Sequence, residues 1–564
     1  MNNPVFYVTY FCNGQKIEAR GASNAHYELK YEITDGAVKA SLTARERITL
    51  ERVDIACDYA FKAGSKFYGN GYQAWTTSKE YVVSDKMQDI IPLACARPLK
   101  EMAGVSADFR FVKFPKKSGE FFSHTYTYIK NGNTFDFIGS LTERQGFTVI
   151  YADMNKNTLT LSKDVEGVTV EKGAGYELFD MFRALGGYDE VFDGYFAAMN
   201  LAKPRLDHLS GYTSWYNYFQ KIDENIILRD LNSLDIAKDN VSIFQIDDGY
   251  ETYVGDWLDP NPVKFPGGMK HIAEEIHKKG YMAGIWLAPF NVQIKSRTYK
   301  EHPDWVIKDR TGLPLIGCMG WGGAFTMDIY NPEAREYIKH FFDVVLNDWG
   351  YDMVKLDFLY SQCMYPRNNK SRGTIMCEAM EFLRECCGDK LILGCGVHHG
   401  ASFGYVDACR ISCDVDLKYG GKFYNKLHVN NEIPSAKNAI TNTVFRRHLD
   451  GRAFVNDPDV FFLRYTNLDF TTEQKLLLAG INHIFGNVLF VSDNAAEYTD
   501  NDIAVLKKAF TKNNFKVLSV DADTSDNFTV ELLDGEEKKT LRFNLNTGAS
   551  NIREILDFPK YLGE

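Results

Sequence analysis

The sequence contains no apolar run of about 18 residues, the length a helix needs to cross a bilayer, so no membrane span is expected. Its start, Met1-Asn2-Asn3-Pro4 leading into Val5-Phe6-Tyr7-Val8, lacks the basic region, apolar stretch and small-residue cleavage site of a secretory signal. Positive charge is also short. The 64 Lys and Arg face 75 Asp and Glu, for a net charge of −11. Binding nucleic acid or an anionic membrane takes a basic surface, so a small or neutral ligand is the better expectation. The 11 cysteines are odd in number, and Cys386-Cys387 are adjacent within a helical pattern, which does not suit a disulfide framework. Free thiols in a reducing cytoplasm are expected instead. No cysteine pair has a second pair or a histidine pair at zinc-finger spacing, and the adjacent His398-His399 would not face one metal from a regular strand. Neither a metal nor a cofactor is therefore expected. A Gly-x-Gly-x-x-Gly after a first strand is absent too, which counts against a doubly wound dinucleotide-binding sheet.

With 564 residues the chain exceeds what one core can fill and should form two or three domains. Residues 1–200 show short alternating runs broken by Gly, Asn and Asp, such as 121–128 and 158–162, and read as a β-sandwich. A helical period runs over 178–199, and Lys203-Pro204 reads as a linker. From 205 to 494 the rhythm is strand, loop, helix, with candidate strands at 212–216, 242–247, 282–288, 353–357, 391–395, 408–412, 460–463 and 488–491. Between them lie amphipathic helices: Met269, Ile272, Ala273 and Ile276 share one face before Gly280, and Asn331-Pro332 opens a helix that buries Tyr337, Ile338, Phe341 and Val345. Eight strands alternating with helices predict a (β/α)8 TIM barrel. Residues 495–564 then read as a helix followed by a small C-terminal β domain, too short to bury a core without leaning on the barrel.

The chemistry-bearing residues fall at the strand ends. Met353-Val354-Lys355-Leu356-Asp357 is a short apolar strand carrying a lysine and a carboxylate two apart, on one side of the strand. Cys409-Arg410-Ile411-Ser412-Cys413-Asp414 repeats the pattern. A buried ion pair would explain either segment alone, but two carboxylates on two strand ends are what glycoside hydrolysis requires. Trp215-Tyr216, Asp247-Asp248, Trp286, Cys395 and Asn456-Asp457 sit at the other strand ends, and active sites of such barrels lie at that rim. A glycine-rich aromatic stretch, Tyr68-Gly69-Asn70-Gly71-Tyr72-Gln73-Ala74-Trp75, suits a loop that touches a ligand or packs a domain junction.

The segments 244–250, Gly255-Asp256-Trp257, 284–290, Lys355-Leu356-Asp357, Gly394-Cys395-Gly396-Val397, 409–414 and Asn456-Asp457-Pro458-Asp459, taken in order, resemble glycoside hydrolase family 36, the α-galactosidases or melibiases. The stretch at 71–75 resembles that family's N-terminal sandwich loop. The resemblance implies a retaining α-galactosidase acting on α-galactosides of the melibiose and raffinose type by double displacement. Asp357 would be the nucleophile and Asp414 the acid/base, with the two carboxylates about 5–5.5 Å apart. Lys355 and its neighbours would hold Asp357 ionised. Asp247 and Asp248 would bind the hydroxyls at C4 and C6 of galactose, with Lys355, Arg410 and Trp257 completing the pocket beside Tyr216, Trp286 and Cys395. Trp75 would close the pocket, from the same chain or from a neighbouring subunit of a homo-oligomer.

The chain departs from the family after Val397, where His398-His399-Gly400 replaces the usual proline. A histidine there would either satisfy a loop carbonyl or bind the leaving-group sugar. Three rivals stand beside the α-galactosidase reading. An α-N-acetylgalactosaminidase needs room beside C2, where Cys395 and Trp257 would crowd. A transglycosylase differs only in excluding water from the acceptor site. A non-catalytic galactoside-binding protein would lack one of the two carboxylates, and both are present.

Overall fold

The computed structural model describes residues 1–87, 110–421 and 434–560, so Cys95 lies outside the described residues. Its first part is a sandwich of two antiparallel sheets, one of six strands and one of seven. Alternation drives it: along Ala37–Ala44 every second side chain, Val38, Ala40, Leu42 and Ala44, is buried between the sheets, with their neighbours only half-buried or exposed. The run at 121–128 is not one strand. Glu120–His124 joins the first sheet and Tyr126–Asn131 the second, and the chain changes sheet at Thr125, whose φ is +65°. The helical period expected from 178 also begins later, because Gly175–Gly186 is a strand. The helix Tyr188–Ala198 starts only after Gly186-Gly187, where the Gly187 N–H donates to Glu190 Oε2 at 3.1 Å.

The barrel follows. Its parallel strands are β1 (Leu209–Thr213), β2 (Ile243–Ile246), β3 (Met282–Leu287), β4 (Met353–Leu356), β5 (Leu391–Gly394), β6 (Ala408–Arg410), β7 (Val455–Asp457 and Val460–Phe461) and β8 (Val488–Val491). Almost every residue of these strands is buried, as expected for strands with a packed interior on one side and helices on the other. The ring closes by β8 pairing with β1. Strand β7 is in two pieces, the first paired with β6 and the second with β8. Pro458 has no N–H to give a ladder and Asp459 has φ +72°, so the break lies between them.

Each strand is followed by a helix: α1 (Glu224–Ser233), α2 (Gly268–Lys278), α3 (Pro332–Asp343), α4 (Arg372–Cys387), α5 (His399–Ser402), α6 (Ala436–Phe445), α7 (Thr472–Phe485) and α8 (Asp500–Phe510). The expected stripe of α2 is buried, and α3 opens on the Asn331 side chain, which accepts the Glu333 and Ala334 N–H groups. The connection from β3 to α3 carries its own three-stranded sheet, Asn291–Gln293, Ile316–Cys318 and Ala324–Thr326. The last sheet, Phe515–Ala522, Asn527–Asp534 and Glu537–Asn544, shares the barrel's core through Val520, Phe528, Val530, Leu532, Leu541 and Phe543. Among the described residues no helix is long and apolar enough to cross a membrane, and the ten described cysteines are all free thiols.

Candidate active site

A cavity of about 270 Å³ opens at the C-terminal ends of the barrel strands, and the carboxylates of Asp247, Asp248, Asp357 and Asp414 all line it. A wider depression of about 540 Å³ lies on the sandwich, but there Asp54 is bonded to Arg52 and Asp153 to Lys156. The smaller cavity brings carboxylates from the ends of the barrel strands together with the rings of Trp75, Trp215, Trp286 and Trp321.

Asp357 directly follows β4. Its own N–H donates to Leu287 O at 2.9 Å, prolonging the ladder, and its carboxylate accepts Trp286 Nε1 at 3.2 Å and the Phe358 N–H at 2.8 Å. Phe358 has φ +55°, which turns the chain out of the strand at once. That turn is packed against Gly396, where φ is +60° and a Cβ would lie 2.9 Å from Phe358 N and 3.1 Å from the Trp75 ring. Burial pushes the Asp357 carboxyl above the ordinary carboxylate range and Asp414 adds to this, while Lys355, Trp286 and the Phe358 N–H oppose it. Lys355 thus favours the Asp357 anion by its charge, as expected, but its hydrogen bond goes elsewhere. Its Nζ donates to Asp247 Oδ2 at 2.8 Å, because that carboxylate lies across the barrel interior from β4. Burial works to lower the Lys355 ammonium's pKa, and Asp247 outweighs it, so the pKa ends raised.

Asp414 sits at the mouth, its side chain 34% exposed, and accepts Arg410 Nη1 at 2.9 Å. Trp75 Nε1 lies 3.5 Å from the same oxygen, and Trp75 belongs to this chain. Its loop is tied to the barrel: Arg446 donates to Gln73 O and Thr76 O, each at 2.8 Å, and Asn442 of α6 donates to Ala74 O at 3.1 Å. Arg410 is fully buried and also paired with Asp459 at 2.7 Å and Asp457 at 3.4 Å. Asp247 further accepts Gln245 Nε2 at 2.8 Å and the Asp248 N–H at 3.0 Å. Asp248 accepts Trp321 Nε1 at 2.8 Å and Gln220 Nε2 at 3.0 Å, and burial pushes its carboxyl up.

Several expected positions need correction. Trp257 does not face the cavity: it is wholly buried, packed against Trp286 and Phe341 with ring centroids 5.8 and 6.0 Å apart. The Asp256 carboxylate causes this by accepting the N–H groups of Arg297 and Thr298, which draws the segment inward. Tyr216 stands one layer behind, its hydroxyl on Asp459, and Cys395 is buried beneath the floor with its thiol pushed up by burial and by Asp357. His399 Nε2 bonds Arg410 O at 3.1 Å, while His398 Nδ1 accepts the Ala401 N–H at 3.2 Å and its ring stacks on Phe147. Neither lines the cavity: His399 meets the carbonyl at the end of β6, not one in its own loop, and His398 caps α5 by accepting the Ala401 N–H. Trp215, read with Tyr216 at a strand end, lines the cavity, and so do Trp321, Gln220 and Phe358, which were not singled out in the sequence.

The chain is similar to known proteins in part of its sequence and in its fold. The Melibiase family model matches residues 215–376. Residues 215–376 are thus similar to the melibiases. The match takes in Asp247, Asp248, Lys355 and Asp357 and stops short of Arg410 and Asp414. A solved α-galactosidase from Thermus thermophilus in complex with p-nitrophenyl α-D-galactopyranoside is similar in fold, with a TM-score of 0.69 and 23% identity, covering 90% of this chain and 98% of that one. The A type blood α-D-galactosamine galactosaminidase of Flavonifractor plautii is 30% identical over 219 residues, or 36% of this chain and 20% of that protein. Alpha-galactosidase Mel36A of Lactobacillus acidophilus is 34% identical over 124 residues, or 21% of this chain and 16% of that protein. The matched regions thus span about a fifth or less of these two relatives' own length.

Proposed function

We propose that this protein is a retaining α-galactosidase that releases terminal α-D-galactosyl residues from small oligosaccharides, without a metal or cofactor. One observation supports it above the others: two carboxylates in contrasting settings line a single small cavity at a barrel's catalytic rim. Asp357 lies on the floor, bonded by donors that favour its anion, and Asp414 lies at the mouth where a leaving group departs. In the proposed reaction Asp357 attacks the anomeric carbon while Asp414 protonates the leaving oxygen. Asp414 then takes a proton from water, which attacks the glycosyl ester and frees Asp357. Asp247 and Asp248 would accept the galactose hydroxyls, and a glucoside with its C4 hydroxyl reversed would leave buried acceptors unpaired. The free thiols support a reducing, cytoplasmic location.

The galactosaminidase among the relatives keeps an amino sugar at C2 as the second reading. A panel of 4-nitrophenyl α-glycosides, with galactose, glucose, galactosamine and N-acetylgalactosamine, decides between them. The roles of the carboxylates are separated by azide. Asp357→Ala should turn over nothing unaided and give β-galactosyl azide, and Asp414→Ala should give α-galactosyl azide with a good leaving group. The reverse stereochemistry would exchange the roles, and no preference for the galactoside would overturn the reading.

A further inference from the structure

Gln220 is an exposed loop residue whose side chain reaches a buried carboxylate. Its Nε2 lies 3.0 Å from Asp248 Oδ2 and 3.2 Å from Oδ1, although the chain just before it leaves the short helix Trp215–Tyr218 through Phe219, whose φ is +49°. Residues 219–222 lie between that helix and α1 in turn and coil, so contacts with other loops must place them. One such contact is the turn after β2. Gly249 there has φ +118°, and a Cβ on it would lie 2.7 Å from the Cα of Gln220. The close approach brings two backbone carbonyls together, and such acceptors need a donor between them. Lys264 supplies it, with Nζ donating to Gln220 O at 2.6 Å and to Gly249 O at 2.5 Å. The lysine's own backbone is fixed: its N–H donates to Asn261 O at 3.1 Å, its carbonyl accepts the Glu224 N–H at 2.9 Å, and the next residue, Phe265, is buried in the barrel's core.

We propose that Lys264 is a positioning residue whose ammonium ties the loops after β1 and β2 together and so holds the Gln220 amide on Asp248, a role that rests on Asp248 binding the sugar as proposed above. A compact ammonium with three N–H groups suits two converging carbonyls, and an apolar side chain in its place would leave both unmet. Lys264 does not line the catalytic cavity, so it reaches the substrate only through Gln220 and Asp248. Ordering a long side chain such as Gln220 has an entropy cost, which the tie lowers by fixing the main chain that carries it. The consequence for Asp248 is a fixed plane. Gln220 meets both of its oxygens and Trp321 Nε1 meets Oδ2 at 2.8 Å, so the carboxylate cannot rotate without losing a bond, and a substrate hydroxyl finds it in one orientation.

The test compares Lys264→Met, Gln220→Met and the double variant on 4-nitrophenyl α-galactoside. Lys264 is half-buried and lines an adjoining cavity of about 380 Å³, so water reaches the two carbonyls in its absence and Lys264→Met keeps its fold. Its KM should rise about 5- to 20-fold with kcat within about twofold, because binding lost equally from substrate and transition state appears in KM alone. The double variant should match Gln220→Met. Losses that multiply would mean that the lysine's charge acts on the site directly, and would overturn the proposal, as would an unchanged KM in Lys264→Met. A crystal structure of unliganded Lys264→Met reads the tie without any substrate: the Gln220 amide should lie beyond hydrogen-bond distance of Asp248, and an intact bond would likewise overturn the proposal. Withdrawal of the amide, in a protein whose wild type turns over no α-galactoside, would leave the tie standing and overturn the underlying activity instead.

Discussion

Replacing Lys355 with Met removes the cation from a buried pair and keeps most of the stem's volume. Lys355 Nζ and Asp247 Oδ2 are 2.8 Å apart, with side chains 7% and 4% exposed. After the change Asp247 keeps the Gln245 amide and the Asp248 N–H but has no counter-charge, with Asp357 nearby. Breaking one half of a buried pair costs about 3–5 kcal/mol, and the surviving hydrogen bonds put this case at about 3. In a chain of this size each kcal/mol moves the melting midpoint by no more than about 2 °C, so the fall should be up to about 6 °C. Adding Asp247→Asn removes the stranded charge and should restore most of it. Multidomain chains often unfold irreversibly, so the three proteins are compared at one scan rate. A double variant that melts no higher than Lys355→Met would refute the reasoning. The sign with pH is fixed as well. The Lys355 pKa is raised on folding, so its contribution is complete below the ordinary lysine pKa and is lost only as pH rises through the folded value. Between pH 6 and 9 Lys355 should therefore add no slope to stability.

Trp321→Phe removes the donor to Asp248 but keeps an aromatic wall, and should lower galactoside kcat/KM about 10- to 100-fold, checked by steady-state kinetics at one pH. Dialysis against a chelator should leave the rate unchanged, and a loss restored by one divalent ion would contradict the two-carboxylate mechanism. His483 is buried against Ala509 O and its pKa is lowered to about 4, chiefly by burial. The unfolded chain therefore binds a proton that the folded one refuses, and stability is lost as pH falls from about 6.5 to 4. His483→Gln should reduce the acid-side slope in urea unfolding by up to about 1.4 kcal/mol per pH unit.

The barrel was readable because its strands are short continuous apolar runs with punctuated helices between them, and the rim was readable because charge at the end of such a run has few structural reasons to exist. What the pattern could not give was direction within loops. Gly255-Asp256-Trp257 looks like a ligand loop, yet the Asp256 carboxylate binds two N–H groups at 297–298 and turns Trp257 into the core. Trp321 lies in Gly320-Trp321-Gly322-Gly323, the same glycine-and-aromatic signal that drew attention to 69–75, and a consistent reading would have singled it out. Its reach to Asp248 depends on φ +58° at Trp321 and on the small sheet between β3 and α3, neither of which is periodic in the sequence.

The interruption of β7 explains how Asp414 is held. A continuous strand would have satisfied its backbone groups by pairing, whereas the break at Pro458-Asp459 leaves several to be met by other partners. Pro458 O accepts Ser412 Oγ at 2.7 Å, the Asp459 N–H donates to Asp457 Oδ1 at 2.8 Å, and Asp459 Oδ2 accepts the Val415 N–H at 2.8 Å. Two of these partners, Ser412 and Val415, lie on the segment after β6 that carries Asp414 between them. The break also aims Asp457 and Asp459 at Arg410 from the next strand, and burial pushes the Asp459 carboxyl up to about 7 despite the guanidinium beside it. With its Nη2 and Nε engaged there, Arg410 presents Nη1 to Asp414. The ladder hydrogen bonds given up at Pro458 are thus exchanged for bonds that locate the loop and the cation of one carboxylate. That is a reason for a proline inside a barrel strand, where a purely structural barrel would have none.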